Sequence, residues 1–181
     1  MPQRRRIFLG CEGESEQGYA ALLSRLLEER HRRIHLEIVL LGGGDPLAII
    51  QTAERQIRQR ATRATPFAAS VIMLDADRRD VHLQRREDAR ALASRLGLHL
   101  IWQLPCHEAF LLRHLVNCGH LHPTTSALAE AELSKRWPRY EKGMAAARLA
   151  ERLDRAAVLR AAIVEEDLRQ LLAIIEFGDA P

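Results

Sequence analysis

The chain has 181 residues and a formal net charge of +3, from 27 basic and 24 acidic residues. Hydrophobic residues make up 47% of it and charged residues 28%, a balance that is typical of a globular domain and excludes a disordered chain. The small basic excess permits polyanion binding without arguing for it. Three cysteines at irregular spacing exclude a disulfide framework. The apolar run after the basic N-terminus is too short for a signal peptide or a membrane span, so we expect a cytoplasmic protein without membrane association.

Four short apolar segments alternate with helical patterns in the first part of the chain. The predicted strands cover residues 7–11, 34–41, 69–74 and 98–104. Ser15 is the predicted N-cap of the first helix, and Asp45 followed by Pro46 opens the second. The third helix starts near Gln84 and is closed by Gly97. Strands that alternate with helices predict a parallel sheet with right-handed crossovers.

The pattern changes after Pro105. A short helix is predicted over residues 107–115 and a loop over 116–123, and residues 126–176 form helical segments interrupted near Pro138 and Gly143. We therefore predict an α/β core over residues 1–115. A helical extension over residues 116–181 is expected to pack on the same domain.

Acidic side chains follow three of the four predicted strands. Glu12 follows the first strand, Asp75 and Asp77 follow the third, and Glu108 comes shortly after the fourth. Because the carboxyl ends of parallel strands meet at one edge of a sheet, we expect these groups to lie close together. Carboxylates without a cysteine–histidine set favour a hard cation such as Mg²⁺ or Mn²⁺. Such a cation would offset the mutual repulsion of the carboxylates.

Each candidate group also has an ordinary structural explanation. A solvated turn with an aspartate N-cap would account for Glu12 and the Asp-x-Asp pair. Glu16 falls in a first helical turn, where the helix dipole favours any acidic residue. Arg78 and Arg79 could contact a nucleic-acid backbone, but a solvated helix start explains them equally well.

Histidines and cysteines cluster in the segment after the fourth strand. The cluster contains His114, Cys118, His120 and His122. Its H-x₃-C-x-H-x-H spacing matches no structural zinc pattern, so a plain loop is favoured over a zinc site. His114 is expected to be a structural histidine with satisfied hydrogen bonds, and Cys11 and Cys106 are expected to be buried, inert thiols.

The arrangement of Glu12-Gly13 after strand one and Asp75-x-Asp77 after strand three resembles the signature of the Toprim fold. That domain occurs in topoisomerases, bacterial primases and the OLD and RloB-like nucleases. Three segments are similar to RloB-like proteins and follow in the same order, namely residues 12–19 (EGESEQGY), 105–114 (PCHEAFLLRH) and 140–143 (YEKG). At His107 the family usually has phenylalanine. The resemblance spans roughly residues 5 to 155.

The resemblance implies a fold and a metal site. The fold would be α/β and Toprim-like, with a four-stranded, mostly parallel sheet between helices and a helical C-terminal part. Glu12 would be a metal ligand or a general acid/base, and Asp75 and Asp77 would be Mg²⁺ ligands. Glu16 and Glu108 would complete a second metal site.

The function implied by the resemblance is that of a Mg²⁺- or Mn²⁺-dependent phosphodiesterase, a nuclease that acts on DNA or RNA. Two cations about 3.5–4 Å apart would clamp the attacking and leaving oxygens of an in-line phosphoryl displacement. Lys142 would offset charge on the phosphorane-like transition state. By resemblance, such a protein accompanies an ATPase partner in bacterial defence against phage.

Two alternatives belong to other classes. The chain could be a catalytically silent Toprim module that binds nucleotide or nucleic acid and regulates the ATPase. A haloacid-dehalogenase- or receiver-like phosphoryl-transfer domain is disfavoured, because it would need an aspartyl nucleophile directly after strand one, where this chain has Glu12. The sequence does not distinguish DNA from RNA, or endonuclease from exonuclease action.

Overall fold

The computed structural model describes residues 4–76 and 83–178. Its strands are β1 (Arg5–Cys11), β2 (Ile34–Leu40), β3 (Ala69–Asp75) and β4 (His99–Gln103). The helices between them are α1 (Glu14–Glu29), α2 (Pro46–Ala61) and α3 (Leu83–Leu96). After β4 follow α4 (His107–Leu112), α5 (Ser126–Arg136), α6 (Ala146–Leu149), α7 (Arg155–Val164) and α8 (Glu166–Ile174).

The four strands form one parallel sheet in the order β2-β1-β3-β4. Helices flank the sheet, which confirms the predicted α/β class and is consistent with a Rossmann-like, Toprim-type fold. We expected a mostly parallel sheet from the sequence. Every strand pair in the described sheet is parallel.

Two hydrophobic cores lie on opposite faces of the sheet. The first joins Leu9 to α1 and to the helices after β4, and it includes Phe110 and Leu168. The second joins Phe8 to α2 and α3, and it includes Ile50. Successive side chains of a strand point to opposite faces, so the neighbours Phe8 and Leu9 enter different cores. Burial on both faces explains why β1 is a continuous apolar run. The division of the chain at residue 115 stays a prediction.

The start of α1 differs from the predicted one. Ser15 lies inside α1, whose N-cap is Gly13, so the prediction that Ser15 is the N-cap is wrong. The backbone N–H of Gly13 donates to Glu16 Oε2 at 2.9 Å, which makes a first-turn carboxylate the capping group. The Ser15 hydroxyl oxygen instead accepts a hydrogen bond from the backbone N–H of Gly143 at 3.0 Å. That bond ties the segment before α6 to the start of α1.

Other predicted boundaries agree with the structure more closely. Asp45 caps α2 by accepting a hydrogen bond from the backbone N–H of Leu47 at 2.8 Å, and Pro46 is its first residue. Gly97 follows α3 with a φ of 65°, a conformation that glycine adopts without strain. The helix predicted over residues 107–115 is shorter, since α4 ends at Leu112. Within the described ranges, no helix is long and apolar enough to cross a membrane.

Candidate active site

A cleft of about 390 Å³ opens at the carboxyl end of the sheet. Its walls come from the loop after β1, the first turn of α1, the turn after β2, the end of β3, the start of α4 and residues 142–143. The charged side chains that line it are Glu12, Glu14, Glu16, Asp75, Glu108 and Lys142. Five of these six groups are carboxylates, so the cleft concentrates negative charge.

The structure brings most of the sequence-predicted site residues into this cleft. Glu12, Glu16, Asp75, Glu108 and Lys142 all line it. The remaining predicted residues, Asp77, Arg78 and Arg79, lie outside the described part of the chain. Glu14, which the sequence analysis did not select, also borders the cleft.

Glu12 is held against the end of β3. Its Oε2 accepts a hydrogen bond from the backbone N–H of Asp75 at 2.9 Å. Because the carboxylate oxygens of an aspartate lie within about 5 Å of its own backbone nitrogen, the two carboxylates are within about 8 Å of each other. Burial raises the pKa of Glu12, and hydrogen bonds from the backbone of Asp75 and Gly44 partly counter that rise.

Asp75 is the most perturbed carboxyl group in the cleft. Burial, followed by the charges of Glu16, Glu12 and Glu108, raises its pKa from 3.8 to about 8. A hydrogen bond from the backbone of His107 lowers that pKa only in part. Near neutral pH this carboxyl group is therefore largely protonated unless a cation balances its charge.

Gln103 is a residue beside the cleft that was not expected from the sequence, and His107 was given no role there. Gln103 ends β4, is fully buried and lies opposite Asp75 in the strand register. In the amide orientation that satisfies its hydrogen bonds, Nε2 lies 3.1 Å from Glu16 Oε1 and 3.1 Å from Asp75 Oδ1. Its oxygen accepts from His107 Nδ1 at 3.0 Å. The only signal in the sequence is a glutamine at the end of a strand that is otherwise largely apolar.

Glu108 and Lys142 form the opposite side of the cleft. Glu108 is 4% exposed, and its Oε1 accepts a hydrogen bond from the Tyr140 hydroxyl at 3.3 Å. Lys142 Nζ lies 3.8 Å from the same oxygen and 2.6 Å from Glu130 Oε1. The hydrogen bond to Glu130 raises the pKa of Lys142, so its ammonium group stays charged at the rim. Tyr140 therefore helps to position an acidic side chain, as well as packing against the helical segment.

A comparison with protein families gives one assignment. Residues 7–171 match the family described as RloB-like protein. The match covers most of the chain. The chain belongs to the RloB-like family. Comparison with curated proteins and with solved structures gave no match.

In this RloB-like protein His114 and two of the cysteines have structural surroundings. His114 is fully buried, with Nε2 2.8 Å from the Tyr19 hydroxyl and Nδ1 2.9 Å from the carbonyl oxygen of Phe110. The prediction of a satisfied structural histidine is confirmed. Cys11 and Cys106 are buried free thiols, and burial raises the pKa of Cys106 to about 11, as expected for unreactive groups.

The donor set of the cleft suits a hard cation by its chemistry. Across residues 4–76 and 83–178, no three histidine, cysteine, aspartate or glutamate side chains converge in the manner of metal ligands. The carboxylates are held instead by N–H groups, as Glu12 is by the backbone of Asp75 and Glu16 by that of Gly13. All offer oxygen ligands, and burial together with the charges of Glu16, Glu12 and Glu108 raises the pKa of Asp75. The residues that would hold Mg²⁺ or Mn²⁺ are Glu12 and Asp75, with Glu16 and Glu108 beside them.

Proposed function

We propose that this RloB-like protein is a divalent-metal-dependent phosphodiesterase of the Toprim type, and that it acts as a nuclease on DNA or RNA. One observation carries the proposal. Four carboxylates from four different elements, Glu12, Glu16, Asp75 and Glu108, line a single cleft, and the pKa of Asp75 rises to about 8. Such a cluster is unfavourable without a cation, and strongly perturbed carboxyl groups in a cleft are concentrated at functional sites.

The proposed metal-binding role of each side chain follows from the strand or helix that carries it. Glu12 directly follows β1 and Asp75 ends the adjacent strand β3, and the hydrogen bond from the Asp75 backbone N–H to Glu12 Oε2 holds them together. With Asp77, they would hold the first cation. Glu16 from α1 and Glu108 from α4 would serve a second position. When bound, Mg²⁺ or Mn²⁺ supplies Lewis-acid activation and neutralises phosphate charge.

Lys142 would act on the phosphate from the rim of the cleft. Its side chain is 64% exposed, and its ammonium group is shared between Glu108 and Glu130. A lysine held in this way can move onto an incoming phosphate oxygen and balance part of its charge. This role does not require Lys142 to bind a metal.

Positive charge on one face supports a polyanionic substrate. Helices α2 and α3 together carry seven arginines and three acidic residues, whereas the whole chain has a net charge of only +3. Arg85 lies in the first turns of α3, is half-exposed, and contacts Asp45 Oδ2 at 2.9 Å at the start of α2. These arginines, with Arg78 and Arg79, would contact the nucleic-acid backbone.

Cleavage assays with a metal-ligand variant test the proposal. Labelled single-stranded DNA, double-stranded DNA and RNA are incubated with the protein in Mn²⁺, in Mg²⁺ or in EDTA. We expect metal-dependent cleavage of at least one substrate, and we expect Asp75→Asn to abolish it. Asp88→Asn is the matched control, because Asp88 lies on α3 and contacts Gln84 rather than the cleft. Activity that persists in EDTA or in Asp75→Asn would contradict the proposal.

A catalytically silent module is the second candidate, and the backbone contacts favour it. Glu12 and Glu16 each accept a hydrogen bond from a backbone N–H, which is a structural role that needs no metal. For this candidate we expect nucleic-acid or nucleotide binding without cleavage, and no Mn²⁺ binding by calorimetry.

For both candidate functions, the ATPase partner and the role in phage defence are proposed from the family resemblance. Co-expression followed by co-purification with an ATPase encoded beside this protein would test them.

A further inference from the structure

A buried amide lies between two of the cleft carboxylates. Gln103 is fully buried, and its Nε2 is 3.1 Å from an oxygen of Glu16 and 3.1 Å from an oxygen of Asp75. The amide nitrogen carries two hydrogens, so it can donate to both carboxylates at the same time. With the amide turned the other way, its oxygen would face the two carboxylates, which is electrostatically repulsive.

The two carboxylates favour one orientation of this amide, and His107 holds it from another side. His107 Nδ1 lies 3.0 Å from the Gln103 oxygen and 3.1 Å from Nε2, so an Nδ1–H can donate to the amide oxygen. His107 is 2% exposed, and its ring packs near Tyr19 and Phe110, with centroids 6.0 and 5.8 Å away. Burial lowers the pKa of His107 to about 3, so the ring is neutral and carries one nitrogen-bound proton.

We propose that Gln103 is a positioning residue whose side-chain amide holds the carboxylates of Glu16 and Asp75 in place, with His107 holding that amide through Nδ1. As far as metal binding is concerned, the inference rests on the proposed function. Hydrogen bonds from surrounding groups orient metal-ligating side chains, and their loss typically weakens metal binding 10- to 100-fold.

Mn²⁺ titration calorimetry on a set of variants tests the positioning role. Gln103→Met keeps the length of the side chain without its donors, and His107→Phe keeps an aromatic ring without the Nδ1–H. We expect each change to weaken Mn²⁺ binding about 10- to 100-fold. The double variant should bind no more weakly than Gln103→Met alone, since His107 acts through Gln103. The matched control is Gln59→Met, at an exposed position of α2.

A conservative variant separates positioning from packing. In His107→Asn the side-chain amide offers an N–H donor close to the place of Nδ1, but it loses the ring. We expect His107→Asn to bind Mn²⁺ much more tightly than His107→Phe when Gln103 is present, and to show no such advantage in Gln103→Met. If Gln103→Met binds Mn²⁺ as the unchanged protein does, or if the effects of the two changes multiply in the double variant, the positioning role is refuted.

Unfolding of the metal-free protein gives a readout that does not depend on the proposed function. Urea midpoints are measured in EDTA for the unchanged protein, Gln103→Met, His107→Phe and the double variant. We expect His107→Phe to lower the midpoint clearly in the unchanged background and by less than half as much in Gln103→Met. Additive shifts would overturn the amide bridge. Absence of Mn²⁺ binding by the unchanged protein, with non-additive midpoints, would refute the proposed function while supporting the bridge.

Discussion

Asp75 should contribute less to the stability of the metal-free protein as the pH rises from about 4 to about 8. Its pKa is 3.8 in an ordinary environment and about 8 in the folded protein, where burial and then the charges of Glu16, Glu12 and Glu108 raise it. The unfolded chain therefore releases this proton at a lower pH than the folded chain does. The contribution of Asp75 to stability is full below about pH 4 and is lost as the pH rises through about 8.

The pKa shift of Asp75 sets an upper limit on its contribution to the free energy of unfolding. One pKa unit corresponds to 1.36 kcal/mol, so the difference between 3.8 and about 8 corresponds to at most roughly 5 to 6 kcal/mol of unfolding free energy. The carboxylates interact, so this total belongs to the cluster and not to Asp75 alone. Asp75→Asn removes the charge while keeping the shape of the side chain. We expect it to stabilise the metal-free protein at pH 8 by about 2 to 5 kcal/mol, with little effect at pH 4.

Urea unfolding in EDTA, followed by circular dichroism at pH 5 and pH 8, measures this difference. Asp75→Asn should be more stable than the unchanged protein at pH 8, and this difference in unfolding free energy should be smaller at pH 5. The two proteins are compared at each pH because the buried His107 and His114, whose pKa values burial lowers to about 3 and about 4, shift the stability of both proteins with pH in the same way. Asp88→Asn should behave as the unchanged protein at both pH values, because Asp88 lies outside the cleft and bonds to Gln84. The reasoning is refuted if Asp75→Asn is no more stable than the unchanged protein at pH 8, or if its advantage is as large at pH 5 as at pH 8.

Three further predictions follow from the same cleft and its surroundings. Mn²⁺ at a hundred times its dissociation constant should stabilise the unchanged protein at pH 8 by about 2.7 kcal/mol in urea unfolding, and Glu12→Gln should remove most of that gain at the same concentration. Lys142→Met should lower the cleavage rate while leaving Mn²⁺ affinity nearly unchanged by calorimetry, since Lys142 is placed to meet phosphate; a parallel loss of affinity would contradict this role. Tyr19→Phe should destabilise the protein by about 1 to 3 kcal/mol in urea unfolding, because it leaves Nε2 of the buried His114 without its hydroxyl partner. An unchanged urea midpoint would show that this hydrogen bond is not needed for stability.

The elements of the α/β core could be predicted because their signals are local. The run from Ile7 to Cys11 is apolar without alternation, as a strand buried on both faces requires. Asp45 and Pro46 act within one helical turn, and Gly97 acts through its own backbone conformation. Glu12 and Asp75 could be placed near each other because parallel strands end at a common edge, which needs no knowledge of side-chain conformation.

Two features could not be predicted from the sequence. One depends on which of two neighbouring side chains caps α1, and the other depends on the register in which β4 pairs with β3. Ser15 and Glu16 can both cap a helix, and the choice of Glu16 depends on Gly13 leaving room, since a Cβ there would lie 3.0 Å from Glu16 Oε2. Gln103 becomes part of the site only because β4 pairs with β3 so that Gln103 lies opposite Asp75. A shift of one residue would turn that side chain to the other face of the sheet.

The residue type of Glu16 and its position in a first helical turn could not distinguish a structural role from a functional one. Its Oε2 accepts from the backbone N–H of Gly13 and caps α1, while its Oε1 lies 3.1 Å from the Gln103 amide in the cleft. One carboxylate therefore makes both contacts, with a different oxygen for each. The cap fixes the rotamer, and the fixed rotamer delivers the second oxygen to the carboxylate cluster. An acidic residue in a first helical turn is thus both an ordinary cap and, here, the means by which α1 contributes charge to the cleft.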